Sequence, residues 1–171
     1  FAGPVLSPDG KRVAMSSSTG DAAAAVWVVD LARASATRLT FGASQDRYPL
    51  WSPDGANLVF QSNRNGHWDF YLKPASGAGG DSLLYSSSIG WKNATSWSRD
   101  GGFITFDSVE KDTGFDIWVL SMRGSRNAVP YLKTRADERG SQISPDGRWL
   151  AYQSNESGRF EIYVQSFPTP G

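Results

Sequence analysis

Apolar and polar positions along this chain follow a pattern that returns every 45 or 46 residues. Its anchor is a four-residue string, Ser-Pro-Asp-Gly at Ser7–Gly10, Ser52–Gly55 and Ser144–Gly147 and Ser-Arg-Asp-Gly at Ser98–Gly101, so the spacings are 45, 46 and 46. A short apolar segment precedes each string and ends in Leu6, Trp51, Trp97 or Ile143. Val13-Ala14-Met15, Leu58-Val59-Phe60, Ile104-Thr105-Phe106 and Leu150-Ala151-Tyr152 follow, and two of these runs continue into Ser62-Asn63 and Ser154-Asn155. About ten residues later come Val26-Trp27-Val28, Phe70-Tyr71-Leu72, Ile117-Trp118-Val119 and Ile162-Tyr163-Val164. A weaker fourth run lies around Arg38 to Phe41, Ser82 to Tyr85 and Val129 to Leu132, and the fourth unit has none. A period of this length outranks any local reading.

The runs are short, β-branched or aromatic, and bounded by Gly, Asn, Asp or Ser, which predicts strands. No window keeps a helical period, and Ala22 to Ala25 is too short to count. In the Ser-Pro-Asp-Gly string Pro presets φ, Asp bonds its own downstream backbone and Gly accepts positive φ, the chemistry of a tight hairpin. Second hairpins are expected at Asn63–Gly66, Lys111–Gly114 and Asn155–Gly158. Each unit is then a four-stranded antiparallel meander. Adjacent residues of the central strands are all apolar, so both faces of each meander need cover. Stacked blades supply it. The expectation is an all-β β-propeller, a partial arc of about four blades at roughly 1–41, 42–87, 88–133 and 134–171, the last lacking its outer strand.

The Ser-Pro-Asp-Gly turn, the apolar strand running into Ser-Asn, and the strand Gly-x-x-[Asp/Glu]-[Ile/Phe]-[Tyr/Trp] resemble the TolB-like β-propeller repeat over essentially the whole chain. The stretch from Ile117 to Gly171 is similar to the propeller region that follows the kinase domain in bacterial membrane-anchored serine/threonine protein kinases. Related repeats occur in TolB itself and in propellers of prolyl-oligopeptidase-like enzymes. Such propellers have six or seven blades, and this chain begins without Met, so it is expected to be a piece of a larger protein. The resemblance also implies an extracytoplasmic, periplasmic setting. Uncovered terminal blades predict self-association.

Composition narrows the chemistry. The 171 residues carry 17 Lys+Arg against 17 Asp+Glu, which argues against a nucleic-acid footprint or a polybasic membrane patch. The sequence has no apolar run near the ~20 residues of a membrane helix. With no cysteine, disulfides and thiolate sites are excluded. Asp9, Asp54, Asp100 and Asp146 recur because each belongs to a turn; Trp27, Tyr71, Trp118 and Tyr163, like Trp51 and Trp97, are read as packing between blades. His67 is the only histidine and lies in a hairpin loop without a nucleophile elbow or a His-Glu-x-x-His pattern. Kinase landmarks are absent, and no catalytic residue, cofactor or metal is expected in this segment.

What remains is geometry. Asp46, Lys92 and Glu138 lie six residues before a turn Ser, Arg47, Asn93 and Arg139 five before, and Trp91 beside them. These are expected to ring the mouth of a central channel, with Arg64, His67, Trp68, Glu110, Lys111, Glu156 and Arg159 as an outer rim. Mixed charge with aromatics suits a protein, peptide or small polar ligand. The expected function is non-catalytic recognition, the sensor or interaction region of a larger bacterial protein such as a receptor-type kinase. A gating propeller of a peptidase and a TolB-like envelope adaptor are the alternatives.

Overall fold

A computed structural model describes residues 2–18, 23–88 and 90–171. Position 22, where the short alanine run begins, lies outside the described residues, and the run continues into a strand at Ala25. The architecture is that of a β-propeller, with no helix among the described residues. Blade one is β1 (Ala2–Leu6), β2 (Arg12–Ser17), β3 (Ala25–Asp30) and β4 (Ser35–Arg38). Blade two is β5 (Asp46–Trp51), β6 (Asn57–Ser62), β7 (Asp69–Pro74) and β8 (Ser82–Tyr85). Blade three is β9 (Lys92–Trp97), β10 (Phe103–Glu110), β11 (Gly114–Ser121) and β12 (Ala128–Leu132), and blade four is β13 (Glu138–Ile143), β14 (Trp149–Ser154) and β15 (Glu161–Ser166). Each sheet runs in sequence order with antiparallel pairing, and the fourth has three strands. The chain forms two compact units of two blades, Phe1–Ser88 and Ile89–Gly171.

The fourth run of the first unit departs from expectation. The strand is Ser35–Arg38, earlier than Arg38 to Phe41. Leu39 drops into the core, 1% exposed, and Thr40 Oγ1 accepts the Val26 N–H at 2.9 Å, so a side chain replaces the ladder's backbone acceptor and pairing stops.

All four turns close in one way. The Ser hydroxyl donates to the Asp Oδ1 two residues on, at 2.6, 2.5, 2.6 and 2.6 Å for Ser7, Ser52, Ser98 and Ser144. The same hydroxyl accepts the N–H of Arg12, Asn57, Phe103 or Trp149 at 2.9–3.0 Å. Asp Oδ1 takes a further N–H two residues on. The Gly donates back to the Ser carbonyl, and at Gly55 this needs φ of +67°, which a side chain would oppose. These bonds hold the turn carboxyls below their ordinary range; at Asp146 the Ser144 hydroxyl, then Arg148, bring it to about 2.

Blades pack within each unit through apolar faces. In the first, Leu58, Phe60 and Tyr71 of blade two meet Ala14, Val26 and Val28 of blade one. In the second, Leu150 and Tyr152 of blade four meet Ile117 and Val119 of blade three. Cross-strand rings stack inside blades two, three and four, Tyr71 on Phe60 at 6.1 Å, Trp118 on Phe106 at 6.2 Å and Tyr163 on Tyr152 at 5.8 Å, while in blade one Trp27 lies opposite Met15. Each fully buried side chain of this kind contributes about 1.5–3 kcal/mol. Ile162 and Val164 hold on β15 the places of Ile117 and Val119 on β11, yet they are 68% and 59% exposed where their counterparts are 0% and 5%.

A carboxyl sits inside the second unit's interface. Asp107 of β10 is 6% exposed and accepts the Gly140 N–H with both oxygens, at 3.1 and 3.0 Å. Burial outweighs that bond and the nearby Arg139, and pushes the carboxyl up to about 7.

Two measurements check these assignments. Ser52→Ala removes a donor to Asp54 and an acceptor for Asn57, and chemical denaturation is expected to show a loss of about 1–3 kcal/mol. The pH profile is bounded on both sides. The lowered turn carboxyls contribute stability present above about pH 4 that is lost as pH falls through their folded values, near 2 for Asp146. The raised Asp107 contributes stability present below about pH 4 that is lost as pH rises through 7. Asp107→Asn is therefore expected to abolish a decline on the order of 3 kcal/mol between pH 5 and 8; an unchanged decline would assign it to other groups.

Candidate functional site

Each blade has a turn end, where the Ser-x-Asp-Gly strings lie, and a far end, where inner strands begin and the second and third strands are joined. The far ends hold the residues expected to bind. In the first unit Asp46 is 1% exposed. It accepts the Ser44 hydroxyl at 2.9 Å and pairs with Arg64 Nη2 at 3.3 Å. Arg64 is held further by Asp81 and lies 4.1 Å from the Tyr71 ring centroid, so this pair is a strut between loops. Arg47 is half-buried and donates to Gln45 Oε1 at 2.9 Å. Beside these residues a depression of about 580 Å³ is lined by Phe41, Ser44, Asn63 and Arg64.

Inward-turned charge recurs in the second unit. Lys92 is 0% exposed, its ammonium donating to the Gly90 carbonyl at 3.2 Å. Glu138 is 1% exposed and takes the Thr134 hydroxyl on Oε1, and burial pushes its carboxyl up. Asp46, Lys92 and Glu138 thus share one position and one fate: each first residue of an inner strand points into its unit, away from solvent.

A relay of side chains explains why these strands start where they do. Gln45 Oε1 accepts the Ala24 N–H of blade one at 3.2 Å, while the Gln45 N–H donates to Asn63 Oδ1 of blade two at 2.8 Å. The second unit repeats this. Asp137 Oδ1 accepts the Phe115 N–H at 3.0 Å, and the Asp137 N–H donates to Asn155 Oδ1 at 2.9 Å. The Asn of each Ser-Asn pair is therefore a clasp. Gly114 is required by the close approach, since a Cβ there would collide with Asp137 Oδ1.

Four expected residues keep solvent contact: Arg47, Trp91, Asn93 and Arg139 are half-buried. In the second unit Trp91 and Arg139 come together through Phe115. The Arg139 guanidinium lies 4.3 Å from the centroid of Phe160 and 5.5 Å from that of Phe115, and Trp91 meets Phe115 edge-on at 6.1 Å. Phe160 is 45% exposed. A cation close to two rings, one of them met edge-on by a third, offers apolar faces and a positive charge together. Phe115 and Phe160 are not among the residues expected from sequence, although the repeat marks them. Trp68, Phe115 and Phe160 each stand three residues before Tyr71, Trp118 and Tyr163.

The outer rim divides. Glu110 is tied to Lys133 and Arg159 to Glu161, while His67, Lys111 and Glu156 are exposed. Among the described residues no group of His, Cys, Asp and Glu could hold a metal ion.

Comparison with known proteins places this geometry. The profile of the TolB beta propeller domain matches residues 1–168. The uncharacterized protein Atu1656 of Agrobacterium fabrum is 29% identical over 66% of this chain and 37% of its own length. The uncharacterized peptidase YuxL of Bacillus subtilis is 23% identical over 89% of this chain and 29% of its own. The chain thus spans about a third of these curated relatives. Among solved structures, the putative TolB of Agrobacterium tumefaciens superposes with a TM-score of 0.80 at 26% identity, covering 96% of this chain and 57% of that one.

Proposed function

This chain belongs to the TolB beta propeller domain family, and from that premise we propose that it is a non-catalytic recognition module that binds a protein, peptide or small polar ligand at its far ends. The observation that carries the reading is the Arg139 guanidinium close to both Phe115 and Phe160, with Trp91 edge-on to Phe115. It is a preformed surface on a rigid support, with little side-chain freedom left to lose on binding. Asn93 extends this proposed surface within the second unit, and Arg47 is the proposed contact at the far end of the first. The buried Lys92 and Glu138 support it within the second unit, as Asp46 supports Arg47 in the first.

In the whole protein the module is proposed to act outside the cytoplasm as a sensor or interaction region, in the manner of propellers that follow a bacterial receptor kinase domain. A second reading, a gating propeller beside a hydrolase domain, is favoured by the alignment with YuxL over 89% of this chain. Self-association is the remaining partner proposal. Ile162 and Val164 of blade four form the kind of face that blade four itself covers on blade three, and a second copy is the occupant proposed for it.

Selection of a random peptide library on the immobilised chain tests the recognition reading. Enriched peptides are expected to lose at least about tenfold in affinity on Arg139→Ala or Phe160→Ala at unchanged melting temperature. Peptides that bind both variants as tightly as the parent would remove the proposed surface, and turnover of chromogenic peptide substrates by the purified chain would end the non-catalytic reading. For self-association, light scattering is expected to show concentration-dependent oligomers that Ile162→Glu with Val164→Glu returns to monomer. A parent chain monomeric at high concentration sinks that proposal.

A further inference from the structure

The turn ends carry a second, separate feature. Each unit has one junction between neighbouring turns, and the two are built alike but finished differently. In the first unit Arg12, five residues after Ser7, reaches to the next turn. Its Nη2 donates to the Gly55 carbonyl at 3.0 Å and its guanidinium lies 4.7 Å from the Trp51 ring centroid. The carboxylates of these turns, Asp9 and Asp54, have no ion pair among the described residues; Arg12 and Lys11 lie near enough to Asp9 to favour its charged form, and Arg12 occupies the gap between the turns at Gly55.

In the second unit Phe103 stands where Arg12 does and Ile143 where Trp51 does. Phe103 turns its ring edge-on against Phe167 at 5.5 Å and does not span the gap. A cleft of about 370 Å³ remains, lined by Arg99, Asp100, Phe103, Pro145, Asp146 and Phe167 among others. Its carboxylates are already matched, Asp100 with Arg123 at 3.0 Å and Asp146 with Arg148 at 2.7 Å. The charge left over is Arg99, which takes the turn position held by Pro in the other three strings and has no ion pair or hydrogen bond among the described residues. The first junction is thus closed by its own cation, whereas the second is open with an unpaired cation at its edge, so what would fill it is an anion.

We propose that this cleft binds an apolar carboxylate. An aromatic or branched aliphatic body lies on Phe103, Pro145 and Phe167, and its carboxylate is taken by the Arg99 guanidinium, whose planar fork suits that group. A free organic acid and the C-terminal residue of a peptide both present this chemistry.

The test is an NMR titration of the full 171-residue chain with four probes. These are N-acetyl-L-phenylalanine, its amide, and the tetrapeptide Ala-Ala-Ala-Phe as free acid and as amide. The free acids are expected to shift the amides of Arg99, Asp100, Phe103, Gly147 and Phe167 with a dissociation constant on the order of 1 mM or below, and the amides to bind at least about tenfold more weakly. Arg99→Pro restores the residue of the other three turns and so is compatible with the fold; it is expected to abolish the preference for the acid, whereas Arg99→Lys retains part of it. A tetrapeptide acid tenfold tighter than the acetylated amino acid assigns the source to a protein C-terminus, and equal affinities assign it to a small molecule. Acid and amide binding alike, an unaltered titration of Arg99→Pro, or shifts confined to Arg139 and Phe160 would each overturn the proposal.

Discussion

A sheet that is apolar on both faces cannot stand alone in water, and that constraint governs this molecule. Phe60 and Leu58 on one side of β6 and Val59 on the other are all 0% exposed, so a blade is stable only when neighbours cover it. The stacked rings of blades two, three and four add flat apolar surface to their sheets, and the turns keep the strands in register.

Polar groups in the interfaces follow from the same rule, because a buried donor or acceptor costs free energy unless it is bonded. The far ends meet this with side chains from neighbouring loops. Gln45 and Asp137 hold the preceding blade, Asn63 and Asn155 hold them in turn, and Arg64 spans Asp46 and Asp81. Asp107 is an incomplete solution, bonded to a single N–H and strongly desolvated. The surface cation Arg139 rests on this framework.

Much of the fold was legible in the sequence. The period of 45 or 46 residues named the units, and the turn residues carried their own mechanism, since Ser, Asp and Gly each make the bond their chemistry allows. Strand alternation could not tell that Asp46, Lys92 and Glu138 point inward. Their burial depends on Ser44, Gly90 and Thr134, together with Arg64, which loop geometry alone brings to them. Of the candidate site, Trp91 and Arg139 were legible as a pair of chemistries, but their meeting through Phe115 was not, because it joins two blades. The strand β4 was misplaced for a related reason: Thr40 is a competent strand residue whose hydroxyl captured a backbone donor.

The turns have one position that takes no part in their closure. Ser, Asp and Gly are committed by hydrogen bonds, whereas the second residue, Pro8, Pro53, Arg99 or Pro145, contributes only its φ preference. A repeat built this way separates what folds it from what it displays. Its second turn residue is a socket in which a new functional group can be tried in one copy while the other three keep the architecture sound, and the third copy of this chain has already been altered there.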